Sequence, residues 1–461
     1  MSGLFGTLSI ALSSLAVSQQ QLETSSNNVA NANTPGYSRE VAKTEAGAPI
    51  RIGSLVMGTG VLLGKIESLR DPILEIQLNQ TTQQQSNLDA QLAQLLQLQT
   101  NFSSSSSGIG ADISSFFNSL QQLAPSPSSL ALRQSVLTAA ANLARDFNSA
   151  ASSLTTQQAN LNLTVQQSIG EVNDLTSQIA SVSQQIASLQ NANMNASTLV
   201  DQRTTLIRRL SGLIDVQVIQ TEKGGIELAT SNGTALVSGN QSFALSTQLG
   251  LDGNTHIIAG TTDITASLTG GSLAGTIQIR DHEIPNFLNQ LDQLAAGFST
   301  AVNAANAQGY DLNGIQGVAI FATPPADTTG AAAYMQLTVI DPALIAASSD
   351  GTPGSNGNLA NLSAVATQTV ANGQTPIDFY SNLVFQAGSA TANTSADVDA
   401  YTQILQQLQD QRGSISGVSL DEEAANIIQY QTAYQAAARV IATINALLAD
   451  TINLGLGSAV Q

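Results

Sequence analysis

Four short stretches carry residue types that can do chemistry, and each lacks a part. His282-Glu283 opens the HExxH pattern, in which two histidines one helical turn apart hold zinc beside a glutamate base. Position 286 is Asn, so the second ligand is missing, and the pair reads as a surface histidine beside a helix start. His256 lies among Thr and Ile in an expected strand, with no partner nearby in sequence. Ser272 sits in Gly270-Gly271-Ser272-Leu273-Ala274-Gly275, where Ala274 takes the place of the second glycine of a nucleophile elbow. That stretch reads as a hairpin turn. Asp311-x-Asn313-Gly314 has the opening of a calcium loop without its downstream glutamate, and reads as a turn. The chain has no Cys and only 2 His. Thiol nucleophiles, disulfides, iron–sulfur clusters, cysteine zinc sites and three-histidine centres are therefore excluded. The expectation is a protein with no catalytic residues, no metal and no cofactor, and not an enzyme.

Composition narrows the partners. The 461 residues include 14 basic and 32 acidic ones, for a net charge of −18. Such a balance opposes phosphate backbones, so no nucleic-acid partner is expected. Only 10% of residues are charged, against roughly 25% in an ordinary soluble domain. Solubility then rests on Gln, Asn, Ser and Thr. No apolar run approaches the ~18 residues of a membrane span, so no membrane partner is expected. No Lys or Arg precedes Arg39 and polar residues interrupt the first leucines, so the N-terminus does not read as a cleavable signal.

The elements follow from hydrophobic period. Residues 4–33 read as one helix in which Leu8, Leu15, Leu22 and Val29 recur every seven positions, widened by Leu4, Ala11 and Leu12. It stops at the turn Asn33-Thr34-Pro35-Gly36, since Pro cannot continue a helix and Pro-Gly favours a turn. Short β pieces fill 37–70, with Gly58-Thr59-Gly60 as a loop. Asp71-Pro72 starts a second helix, ended by Ser103–Ser107 and Gly108. A shorter helix covers about 111–124, Pro125-Ser126-Pro127-Ser128 breaks the chain, and the longest helical region spans 129–191. Its residues Leu161, Val165, Ser168, Val172, Leu175, Ile179, Val182, Ile186 and Leu189 keep a coiled-coil register. A helix near 199–213 opens on Thr198 and Asp201, spaced as a capping box.

At 215 the character changes to Thr, Val, Ile and Gly, with turn pairs Gly224-Gly225, Asn232-Gly233 and Asp252-Gly253. A helix follows Pro285, then short strands to about 345, a Gly/Asn/Ser/Pro linker over 350–358, and helix again from about 360. The last helix, 420–453, opens on the capping box Ser419/Glu422 with Asp421, Glu422 and Glu423 in its first turn. Ile427, Tyr434, Ile441 and Leu448 recur along it every seven positions. The fold class is α+β, mainly α, with long coiled-coil helices from both termini and the middle of the chain and a small all-β insert domain. The expected division is 1–45 and 415–461 as a terminal coiled-coil domain, 46–214 and 283–414 as a helical domain, and 215–282 as the insert.

The two terminal seams admit two readings. They pair with each other as an intramolecular hairpin, or they form an assembly surface shared with neighbouring subunits. A two-helix hairpin has little interior and leaves apolar residues exposed, each worth roughly 1.5–3 kcal/mol once buried. That favours assembly through Leu8, Leu15, Leu22, Val29, Ile427, Tyr434, Ile441 and Leu448, with Asn33, Pro35 and Gly36 forming the turn after the first helix.

The block Ser25–Gly36, followed by Tyr37-Ser38-Arg39, resembles the N-terminal signature of the bacterial flagellar rod, hook and hook-associated proteins. Val418–Leu454, above all Ser419–Asn426 and Tyr430–Ile441, resembles the C-terminal signature of the same family. Leu199-Val200-Asp201-Gln202-Arg203, the Leu210–Val216 stretch and Gly309–Gly314 are closer to its hook-associated members than to the hook or distal rod subunits, which are the nearest alternative. A secreted adhesin or enzyme acting through 215–282 is a further one. The resemblance implies a structural subunit at the hook–filament junction, exported through the flagellar type III pathway without a cleaved signal and assembled outside the cell. The partners it implies are adjacent copies in a ring, the hook protein, a second hook-associated junction protein and an export chaperone on the C-terminal helix.

Overall fold

The structure, a computed structural model, describes residues 2–52, 55–102, 108–221 and 225–457. The expected helix stop at Ser103–Ser107 and the Gly224 half of the Gly224-Gly225 turn lie outside the described residues. The first helix, α1 (Ser2–Asn31), runs into an antiparallel pair, β1 (Glu40–Ala46) with β4 (Val61–Ser68), carrying a smaller hairpin of β2 (Ile50–Ile52) and β3 (Leu55–Met57). Four helices follow: α2 (Pro72–Phe102), α3 (Ile109–Leu123), α4 (Leu130–Asn191) and α5 (Ser197–Leu213). Asp71 caps α2, its Oδ1 accepting from Ile73 N at 2.9 Å, and Ser129 caps α4 through Leu132 N.

Seven short strands come next. They form an antiparallel meander of β5 (Gln217–Gln220), β6 (Ile226–Ala229), β7 (Ala235–Ser238) and β8 (Gln241–Ser242), and a three-stranded sheet of β9 (Leu245–Leu249), β10 (Thr255–Ala259) and β11 (Thr262–Asp263). The chain returns through α6 (Gly271–Gln278), a π-helical turn over Ile279–Glu283 and α7 (Ile284–Ala307), then α8 (Leu359–Ala364), α9 (Pro376–Ser416) and α10 (Leu420–Gly457). The architecture is α+β and mainly α.

Two cores share one helix. At 62 residues and about 1.5 Å per residue, α4 is some 90 Å long. Its N-terminal half packs Val136, Leu143, Phe147 and Leu154 against α3, α7, α8 and the start of α9. There Phe116, Phe117, Phe298 and Phe321 interlock, with Phe116 and Phe298 edge-to-face at 5.6 Å. Its C-terminal half buries Val165, Val172, Ile179 and Ile186 against α5, the meander and α6. The coiled-coil register of 161–189 thus serves an intramolecular core. Helices α1 and α10 lie alongside each other and belong to neither core.

Three expectations are corrected. Residues 271–283 are helical instead of closing a β insert or making a hairpin turn. Leu273, Ala274 and Ile277 sit at helical spacing and bury in the second core, while the glycines serve close packing. Gly271, at φ +75°, lies against the backbone of Leu213 and Ile214, and Gly275 against the Asn87 carbonyl. The strands expected up to 345 are isolated bridges, such as Phe321 with Leu337. Side chains of α7 replace the ladder: Asn303 Oδ1 accepts from Ile320 N and Phe321 N at 2.8 and 2.9 Å, and Asp292 accepts from Gly330 N and Ala332 N. Helix α5 has no capping box. Asn195 Oδ1 takes Ser197 N at 2.9 Å, and Asp201 turns to other partners.

Candidate assembly interface

The turn after α1 is where the ends of the chain meet the body. Gly36 adopts φ +84°, and a Cβ there would run into Thr205 Oγ1 of α5. Exposed Asn33 and Pro35 complete the turn. Tyr37 Oη then donates to Asn28 Oδ1 at 2.8 Å, and the Asn28 side-chain amide pairs with the Glu40 backbone, Nδ2 donating to its carbonyl and Oδ1 accepting from its N–H. Burial first, then the charges of Glu40, Asp201 and Glu423, raise the Tyr37 phenol far above its ordinary value, so it stays a neutral donor.

Ion pairs converge on the next residues. Ser38 donates through N and Oγ to Asp201, at 3.1 and 2.8 Å, and Arg70 reaches the same carboxylate at 2.5 Å. Burial works against both charges of that pair, raising the Asp201 carboxyl and lowering the Arg70 guanidinium, and each opposes it with the other's charge. Arg39 clamps the first turn of α10, bonding Glu423 through Nε at 2.6 Å and Glu422 through both Nη atoms. Partial burial pulls Arg39 down, but the hydrogen bonds and charges of the two glutamates win and hold it above its ordinary value. Ser419 Oγ accepts from Glu422 N at 3.4 Å, while the Glu422 carboxylate is spent on Arg39, so the expected capping box is half made. Arg412 of α9 binds Glu75 and the Gly36 carbonyl, and Arg208 of α5 takes the other Glu75 oxygen. None of these pairs shows in hydrophobic period. Their sequence signal is scarcity: a chain with 14 basic residues spends four of them here.

Along the α1/α10 pair, the heptad residues flank the most buried positions. Leu8, Leu15 and Leu22 are half-buried and Val29 is exposed; Ile427, Ile441 and Leu448 are half-buried and Tyr434 is exposed. The buried positions on α1 include Ala11, Ser18 and Ser25, themselves seven apart, and on α10 Ala437 and Ile444. Small or polar side chains hid that row from a search for leucines. Phe5, Leu12, Ile428, Val440 and Leu447 remain exposed on the two helices.

The stretches with chemical side chains are separated. His282 is exposed in the π-helical turn. Ser272 lies in the first turn of α6. Asp311 Oδ1 accepts from Asn313 N and Ile315 N, which closes its turn on itself. His256 sits between Asp263, at 2.5 Å from Nδ1, and Asp252, at 3.1 Å from Nε2. The Asp263 hydrogen bond, with Asp252 adding to it, raises its pKa. Among the described residues no cluster has the ligands to hold a metal ion, and no helix is long and apolar enough to cross a membrane.

Comparison with known proteins places this arrangement. Residues 8–37 match the family described as flagella basal body rod protein, and 410–454 the C-terminal part of the flagellar basal body rod FlgEFG proteins. These two ends define the class, an axial structural protein of the bacterial flagellum. The middle is specific: residues 95–321 match the helical domain of flagellar hook-associated protein FlgK. Flagellar hook-associated protein 1 of Bacillus subtilis is 30% identical, with 99% of this chain and 100% of that protein covered. The Escherichia coli K12 protein of the same name is 26% identical over 96% and 98% of the two chains. The chain belongs to the flagellar hook-associated protein 1 (FlgK) family. Its fold is similar to the flagellar hook junction protein FlgK from Burkholderia pseudomallei, with a TM-score of 0.66 at 20% identity over 74% of this chain and 100% of that one.

Proposed function

We propose that the chain joins hook to filament by packing its α1/α10 pair against the same pair of neighbouring copies. The observation that carries this is the incomplete burial of that pair. Two helices of 30 and 38 residues lie together, yet Phe5, Leu12, Ile428, Val440 and Leu447 stay exposed, and the heptad residues Leu8, Leu15, Leu22, Ile427, Ile441 and Leu448 are only half covered. Contact with adjacent subunits removes that surface from water, each fully covered side chain contributing roughly 1.5–3 kcal/mol. The domain arrangement follows: residues 1–45 and 415–461 are the shared inner coil, 46–214 and 283–414 the helical body, and the strands after 215 an outer insert. The protein acts as a structural element with no enzymatic step. It leaves the cell through the flagellar export route without a cleaved signal, with a chaperone covering α10, and meets the hook protein on one side and a second hook-associated protein on the other. A fluorescently tagged copy tests this: it should mark one spot at the hook–filament boundary. Signal along the whole filament, or away from the flagellum, would overturn the reading.

A further inference from the structure

We infer that the joint between α2, α5 and the β5–β6 hairpin holds a binding site for a small inorganic oxyanion of the phosphate or sulfate class. A cavity of ≈110 Å³ lies there, lined by Arg70, Glu75, Asn79, Arg203, Thr204 and Gln220 among others. That volume takes one tetrahedral oxyanion and little more. Among the described residues, the wall contains a cation with no carboxylate to answer it. Arg203 is only 8% exposed, its Nη1 is buried without a hydrogen-bond acceptor, and among the described residues no carboxylate pairs with it. A buried guanidinium in that position is costly. Burial, and then the like charge of Arg70, push its pKa down to about 10.

The surroundings do not neutralise it. Glu75 gives one oxygen to Arg208 and the other to Arg412, and Asp201 is held by Arg70 and Ser38. Four guanidiniums thus share two carboxylates, which leaves two positive charges in excess. In a chain of net charge −18, this concentration of Arg is the reverse of the bulk composition. Arg208 Nε, outside the lining, is also buried without an acceptor, and Asn79 Oδ1 in the wall is buried without a donor. An oxyanion supplies acceptors to the cations: its oxygens take charge-assisted bonds from guanidinium forks, with the Gln220 amide as a neutral donor from the wall. Its role is to lock the β5–β6 hairpin to α2 and α5. This inference is independent of the assembly reading, because the cavity lies within one chain.

The test uses the full-length chain in chloride and in phosphate at matched pH and ionic strength. Phosphate should raise the unfolding temperature saturably, by a few degrees, as a ligand of the folded state does, and should broaden the ³¹P resonance. Arg203→Gln should remove both effects. Asn79→Asp, which sets a carboxylate in the same wall, should raise the unfolding temperature in chloride and abolish the phosphate response, so the inference stays testable if Arg203→Gln does not fold. Equal unfolding temperatures with a sharp ³¹P line, or a phosphate response that survives either substitution, would show the cavity to be filled by water and overturn the site.

Discussion

Arg39 Nε and Glu423 Oε1 lie 2.6 Å apart although 384 positions separate them in the chain. Glu423 is 1% exposed, so this pair is sheltered from screening, unlike the surface pairs that contribute little. It fixes the start of the last helix to the residue that follows the first one's turn. The two ends of the protein are thus held in a set geometry before any neighbour arrives.

Removing Arg39 leaves Glu423 as a buried charge without its partner. Arg39→Ala should destabilise the α1/α10 base by about 3 kcal/mol, read as faster amide exchange over 418–430 with the body unchanged. Adding Glu423→Gln should recover much of the loss. Independent, additive effects of the two substitutions would show that the pair is not coupled.

Leu15 and Ile441 are half-buried in the isolated chain. Leu15→Asp or Ile441→Asp should leave residues 71–410 folded, with an unfolding temperature close to that of the parent. Incorporation at the hook tip should nevertheless stop, as counted by electron microscopy of flagella. Normal junctions built from either variant would refute the seam.

Gly271 has both a left-handed backbone and no room for a Cβ, which would meet Leu213 and Ile214 backbone atoms. Gly271→Ala should therefore cost about 2 kcal/mol or more, seen as a lower urea midpoint. A midpoint equal to the parent's would mean that α6 can shift without loss.

His256 carries a pKa raised above its ordinary 6.5 by Asp263 and Asp252. A group raised in the folded state stabilises fully below 6.5 and loses that contribution as pH climbs through the folded value. Urea midpoints should then fall as pH climbs above 6.5, and His256→Gln should flatten that part of the slope. An unchanged slope in the variant would place the pH dependence elsewhere.

Long helices with apolar period were legible from residue order, because leucine spacing and caps such as Asp71 and Ser129 are local. The reading faltered where a contact is distant in sequence or a small residue does the packing. Gly270–Gly275 looks like a turn until the backbone of Leu213 is seen to need the missing Cβ. Residues 315–345 carry strand-forming side chains, but Asn303 and Asp292 take the hydrogen bonds that a ladder would have used. At the candidate interface the leucines of α1 announced themselves, while Ala11, Ser18 and Ser25 did not, since serine carries no hydrophobic signal. The clamp of Arg39 on α10 has no period at all. Asp201, assigned to a cap from its spacing to Thr198, is taken instead by Ser38 and Arg70, partners more than 100 positions away.

Arg39 N also donates to the Ser416 carbonyl at 2.9 Å, so the chain leaves the terminal pair and comes back to it at one point. That point is a doorway framed by Arg70, Glu75, Asp201 and Arg412, which tie the body to the turn after the first helix. Whatever lies beyond the frame can be lengthened, trimmed or refurnished without moving it. The outward-facing cargo of the protein is thereby freed from the geometry of its base, provided those four residues stay in place.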